Sequence, residues 1–227
     1  MSLSDKYIIV EASPEHRQEI LDFLLSDFLL NEPLNASLQL EKNEGLPFFG
    51  GLVDSCLKDN ISYLSRYVDD GSIAAVSFRL YNSLKIKNMS YARKEEKFLY
   101  NSNIKEKAEK TDKIVALLNK LEEHMWEDIP SQINNVINCV FLSVSSTHAR
   151  KNLATHLILH TIQKIDKAKF QAVITETSAY KSQQLFKKLG FSVLYEVFHK
   201  DWLDSNGQQI FNCLDGTDRI QLNFKKL

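Results

Sequence analysis

Between residues 136 and 225 the hydrophobic pattern switches repeatedly between strand and helix periods, and few architectures accommodate that alternation. Residues 136–144 form an apolar run of strand length, after which Ala154, Leu157, Ile158, Ile162 and Ile165 recur at helical spacing. A second strand is predicted over 172–177 and a shorter helix over 182–189, closed by Gly190 at its C-terminal cap. Strands follow at 192–199 and near 219–225. Strands separated by helices point to layered α/β architecture, and the closing strand–turn–strand makes the central sheet mixed. The expectation is a single α/β domain over 1–227, a mixed central sheet flanked by helices. A chain of 227 residues is long enough to bury a sizeable core in that arrangement.

The N-terminal half is less regular. Residues 7–10 read as a first strand, and Ser13-Pro14 as an N-cap with Pro at the first helical position. Ile20, Phe23, Leu24 and Phe28 then mark a helix to about Leu30, which stops before Glu32-Pro33 because a residue preceding Pro is pushed out of the α region. A short helical stretch is expected after Asn35 and another through the fifties, after Pro47. Strands over 61–68 and 72–80 flank an Asp70-Gly71 turn, a hairpin signal. Residues 82–112 are polar and charge-rich and read as a long excursion. The charge run 93–113 within it reads as solvated loop and helix start. Ile114, Leu117, Leu118, Leu121 and Met125 then line one face of an amphipathic helix, ended by Pro130.

A formal net charge of −1 argues against a general nucleic-acid binder. No apolar segment has signal-peptide or membrane-spanning character, and the three cysteines are unpatterned, so a cytoplasmic protein without disulfides is expected. His156 and His160 stand at i, i+4, a spacing that can bind zinc, but no neighbouring Glu or Cys completes a set and no metal is expected. Cys139 reads as a buried core cysteine.

Three segments carry chemistry together. The strand ending Leu142-Ser143-Val144 leads into Ala149-Arg150-Lys151-Asn152-Leu153-Ala154, and Thr155 follows at a helix start. A helix N-terminus presents N–H groups and positive dipole to a pyrophosphate. The second segment is Lys187-Lys188-Leu189-Gly190-Phe191, and the third Asn31-Glu32-Pro33-Leu34-Asn35. Taken singly, each also has an ordinary architectural reading.

In this order the segments resemble the GNAT superfamily of acyl-CoA-dependent acetyltransferases. The 142–155 region resembles its pyrophosphate motif, and Lys188-Leu189-Gly190-Phe191 its second motif. Glu32-Pro33-Leu34-Asn35 resembles the narrower signature of insect-type arylalkylamine N-acetyltransferases. The pyrophosphate turn of the superfamily is usually Arg/Gln-x-x-Gly-x-Gly/Ala. Here Ala149 stands first, Arg150 is displaced by one, Asn152 takes a Gly position, and Ala154 fits. Where many members place a tyrosine acid this chain has Phe186, and the arylalkylamine branch also tends to lack that tyrosine.

The resemblance implies the GNAT fold and acetyl-CoA as acyl donor, held by Leu142, Ser143, Val144, Ala149, Arg150, Lys151, Asn152, Leu153, Ala154 and Thr155. It implies Glu32 as general base, with Ser178 and Ser182 as its hydroxyl partners. Tyr180 is a reserve acid, and N–H groups near Val144 stabilise the oxyanion. The amine would attack directly, without an acyl-enzyme. Substrates expected are arylalkylamines such as dopamine, serotonin, octopamine or tryptamine, with Phe48 and Phe49 as candidates to line their pocket. Polyamines or other small amines are the alternative within enzymes, and a non-catalytic acyl-CoA binding module the alternative outside them. No nucleic acid or membrane partner is expected, and the protein would be a monomer or weak dimer.

Overall fold

The computed structural model describes residues 4–83 and 109–227. The expected 82–112 excursion and most of the 93–113 charge run lie outside the described residues. Seven strands form one sheet: β1 (Tyr7–Glu11), β2 (Tyr63–Tyr67), β3 (Ile73–Ser83), β4 (Asn135–Val144), β5 (Ala172–Thr177), β6 (Ser192–Phe198) and β7 (Arg219–Lys226). Their spatial order is β1-β2-β3-β4-β5-β7-β6. Only β4 and β5 pair in parallel; every other neighbour is antiparallel. The sheet is therefore mixed, as the sequence implied.

Helices cover both faces. On one side lie α1 (Arg17–Phe23), α2 (Leu29–Asn31), α3 (Pro33–Ser37), α4 (Lys42–Leu57) and α5 (Glu109–Asp128). Ile20, Leu24, Phe49, Val53, Leu117 and Leu121 from this layer join Val76, Phe78, Ile174 and Leu222 of the sheet in the main core. On the other side, α6 (Leu153–Lys164) brings Leu153 and Leu157 against Ala74 and Ala75. There Ile158 of α6 and Phe186 of α7 (Tyr180–Lys188) pack with Cys139 and Val173.

Helix boundaries depart from expectation where packing outweighs local signals. Pro47 does not precede α4 but lies inside it. A reciprocal Glu41–Glu44 capping box starts that helix five residues before Pro47, at Lys42. Burial of Phe48, Phe49, Leu52, Val53 and Cys56 outweighs the one backbone bond that Pro47 cannot donate. Similarly α3 begins at Pro33, ahead of Asn35, and α7 at Tyr180, ahead of Ser182. The first long helix is interrupted: α1 passes into a π-helical turn over Leu24–Phe28 before α2. Such single π turns often accompany functional sites, and this one is four residues from Glu32.

The sheet opens at its centre. Parallel register between β4 and β5 runs only from Val136/Ala172 to Cys139/Thr175. On the other edge of β4, Phe78 pairs with Phe141 but Arg79 pairs with Cys139, leaving Val140 as an extra, bulged residue. A bulge bends its strand. Beyond it, residues 140–144 of β4 have no strand partner on the β5 side. No helix among the described residues is long and apolar enough to cross a membrane.

Candidate active site

Glu32 sits where two helices meet. Its backbone N–H closes α2 on the Phe28 carbonyl at 2.9 Å. Pro33 forces Glu32 into an extended conformation, φ −73° and ψ 127°, and then opens α3 at its first position. In that posture the carboxylate folds back as an N-cap, accepting from Leu34 N at 3.2 Å and Asn35 N at 2.8 Å. Ser178 donates its hydroxyl to Oε1 of Glu32 at 2.6 Å. Ser178 is the residue after β5 ends, so the base candidate lies at the end of the sheet where β4 and β5 part.

Burial pushes the Glu32 carboxyl above the ordinary carboxylate range. The Ser178 hydroxyl and the Asn35 and Leu34 N–H groups pull the other way, and the Asp215 carboxylate adds to the rise. Asp215 is a site residue that sequence reading missed. Its Oδ2 accepts from Tyr180 N at 2.9 Å, capping α7, and from Thr217 Oγ1 at 2.7 Å. The same segment is tied to α3 by Asn212 N donating to Ser37 Oγ at 2.7 Å. An Asp-Gly pair between two strands was the only available signal, and it reads as a turn. Cys213 lies in this segment too. Burial, then the Glu32 and Asp215 carboxylates, push its thiol up to about 12, which keeps it protonated and poorly nucleophilic.

The two serines take different places. Ser178 binds Glu32, whereas Ser182 turns its hydroxyl to the Ala179 carbonyl, 2.8 Å away in the first turn of α7. Tyr180 is half exposed at the same helix end. Loss of the Ser178 hydroxyl removes the largest influence that lowers the pKa of Glu32. Ser178→Ala is therefore expected to move the Glu32 ionisation to higher pH, and Ser182→Ala to leave it in place. Carboxyl titration followed by NMR in the two variants checks this.

The cofactor candidates surround the opening in the sheet. Leu142, Ser143 and Val144 form the end of β4 with its unpaired edge. Ala149, Arg150, Lys151 and Asn152 form an exposed turn, and Leu153, Ala154 and Thr155 the first turn of α6. Arg150 and Asn152 both adopt left-handed backbone with φ 61°. Asn152 thus occupies the conformation that the glycine of the motif would supply, which Asn tolerates better than most residues. The turn is held from the opposite layer by Asp27 of the π turn, which accepts from Ser146 N at 2.8 Å and Ser146 Oγ at 3.0 Å. Sequence reading missed Asp27 as well. Asn152→Val is expected to cost about 1–2 kcal/mol, while Asn152→Gly leaves stability near wild type. Thermal unfolding of the two variants separates them.

Other candidates resolve into packing. Phe48 and Phe49 belong to the main core; Phe49 stands edge-on to Phe28 at 5.9 Å and near Phe141 at 6.0 Å. They are core rings rather than lining for an amine. Phe186 is buried against Phe191 at 4.9 Å and carries no proton to give. Cys139 is buried. His156 Nδ1 bonds the Asn152 carbonyl at 2.8 Å, and the His160 ring packs on Tyr63 at 4.8 Å.

No family model matches the sequence. Solved structures do resemble it. Arylalkylamine N-acetyltransferase 2 from Aedes aegypti superposes with a TM-score of 0.83 at 24% identity, over 98% of this chain and 99% of that one. The chain has the GNAT acetyltransferase fold. The Drosophila melanogaster polyamine N-acetyltransferase, which forms N-acetylagmatine, gives 0.75 at 18% identity over 97% of this chain and 100% of that chain. NAA60 of Arabidopsis thaliana in complex with acetyl-CoA gives 0.54 at 11% identity, over 97% and 99% of the respective chains. Against this GNAT frame, the opening between β4 and β5 and the turn before α6 are the fold's central features.

Proposed function

We propose that this protein is an acetyl-CoA-dependent N-acetyltransferase of small primary amines, with Glu32 as the general base. One observation carries the reading. A carboxylate with a raised pKa is fixed by three donors at the end of the sheet where its central strands separate. A base of that kind suits proton removal near neutral pH.

The residues around the opening fit acetyl-CoA. The free edge of residues 140–144 offers backbone donors and acceptors to an amide-bearing arm. The exposed turn with Arg150 and Lys151, followed by the N-terminus of α6, suits a pyrophosphate. We assign its binding to Leu142, Ser143, Val144 and residues 149–155. When bound, acetyl-CoA supplies an activated acyl group as a thioester.

Glu32 takes the proton that an alkylammonium must lose before its nitrogen can attack, directly or through water. N–H groups at the end of β4 donate to the oxygen on which charge develops. Ser178, Ser182 and the half-exposed Tyr180 are the hydroxyls placed to return a proton to the departing sulfur. The protonated state of Cys213 and the burial of Cys139 support direct transfer rather than an acyl-enzyme.

The Glu32-Pro33-Leu34-Asn35 turn supports arylalkylamines such as dopamine, serotonin, octopamine and tryptamine as the first substrate class. A polyamine-like substrate is the second, supported by a carboxyl pair on α5 and β5 described below. The Glu32–Ser178 contact weighs against a non-catalytic binder. The three cysteines are unpaired, which supports a cytoplasmic location. Release of the CoA thiol from acetyl-CoA, measured over aromatic amines, spermidine and lysine, tests the assignment. Turnover on an amine supports it, and acetyl-CoA binding without turnover on any of them would move the protein to the binding-module reading.

A further inference from the structure

One carboxyl pair is not used by the chemistry above. Glu176 of β5 and Glu122 of α5 are hydrogen-bonded to each other, side chain to side chain. Two carboxylates hold such a contact only with a proton between them, so the pair carries one negative charge instead of two. Burial first, and Glu122 second, hold the Glu176 carboxyl well above its ordinary range. Its Oε1 is enclosed and accepts no hydrogen bond.

Strand register places a second unmatched acceptor on the same face. Asn138 of β4 pairs with Ile174 of β5, so their side chains share a face. The two-residue period of a strand puts Glu176 on that face as well. Asn138 is only 5% exposed, and its Oδ1 has no donor. This is the face that carries Ile174 into the main core, on the side of α5. Two residues beyond Glu176, about 7 Å along the chain, Ser178 binds Glu32.

Buried acceptors left without donors cost free energy, and a ligand rich in N–H groups is what satisfies them. We propose that Glu122 and Glu176, with Asn138, form a subsite for a second cationic group on the amine substrate. The substrate class is then a diamine or aminoguanidine. Its near nitrogen faces Glu32, and its far ammonium or guanidinium takes the place of the shared proton. A spacing of about 7 Å is spanned by an aliphatic chain of about four carbons. This inference rests on the reading of Glu32 as the base.

The test compares 1,4-diaminobutane with butylamine, which has the same chain and one cation fewer. Wild type is expected to favour the diamine by about tenfold or more in kcat/KM, mainly through KM. In Glu176→Gln and in Glu122→Gln that ratio should fall toward one, each variant serving as its own control because both amines meet the same protein. Should Glu176→Gln fail to fold, Glu122→Gln, on a half-exposed helix position, carries the comparison. A wild-type ratio near one, or a preference that survives the substitutions, overturns the subsite. If neither amine is acetylated, calorimetric titration of both amines into the same proteins gives the same comparison. A diamine preference lost in the variants would then keep the subsite while removing the acetyltransferase reading; no preference would remove the subsite.

Discussion

Glu32→Gln is expected to lower the rate of amine acetylation by roughly 10²–10⁴-fold, the usual contribution of a positioned general base. The amide retains an oxygen for the α3 cap but cannot take a proton. The wild-type rate should rise with pH along an acid limb set by Glu32. That limb lies above the ordinary carboxylate range because burial disfavours the charged form. The sign follows from the role: the base works only when ionised, so activity is lost as pH falls through its pKa. In Glu32→Gln the limb should disappear, leaving the dependence set by the amine itself. Steady-state rates from pH 5 to 9 with one good amine substrate check both points. Glu32→Ala adds a structural effect, since it also removes the N-cap of α3. About 1 kcal/mol is expected, a few degrees in Tm for a chain of this size. A Glu32→Gln enzyme with a wild-type rate and an unchanged acid limb would remove Glu32 from the chemistry and leave it as a helix cap.

Arg79→Met is expected to stabilise the protein by about 1–4 kcal/mol, the range seen when buried charges are replaced by apolar groups of similar volume. Arg79 lies on β3 and is 1% exposed, among the largest side chains that the fold buries completely. Its Nη1 reaches the Ser77 carbonyl at 3.2 Å, while Nη2 has no acceptor. The ionisable groups nearest it are Cys139, Tyr63 and Cys56, none of them a carboxylate. Burial accordingly lowers its pKa, which states in another form that the charge is poorly compensated. Met fills similar length without a charge to desolvate. Thermal and urea unfolding of the variant measure the difference, and each kcal/mol should appear as roughly 2–4 °C in Tm. A clear loss of stability would instead show that the guanidinium is better matched than its neighbours suggest.

The candidate site was legible to different depths at different residues. Glu32 stood out because Pro33 follows it, and the local consequences of that pair held: a helix end, an extended residue and a new helix start. The αL conformation of Asn152 likewise follows from its place in a turn that favours glycine. Asp215, Asp27, Glu122 and Glu176 carried no such signal. Each is an ordinary acid in its local sequence, and each acquires meaning from a partner more than thirty residues away. Ser178 and Ser182 look equivalent along the chain, yet only one reaches Glu32. The difference is geometric, since Ser178 precedes α7 and points across the sheet end, while Ser182 satisfies a carbonyl in its own helix.

Sequence by itself determined the alternation of strands and helices, because hydrophobic period is a local property that each segment expresses wherever it is placed. It determined the Glu32-Pro33 junction and the left-handed turn at Asn152 for the same reason. Tertiary structure decided what those segments enclose. Pro47 lies within a helix because buried aromatic and aliphatic side chains outweigh one missing hydrogen bond. Phe48 and Phe49 became core for the same burial. The opening between β4 and β5 depends on a one-residue bulge and on where a parallel register stops, and neither is written in any short stretch of residues. Glu32 and Ser178 are 146 residues apart in the chain and 2.6 Å apart in space. Only closure of the whole sheet brings them together, and with that contact the raised pKa on which the proposed chemistry rests.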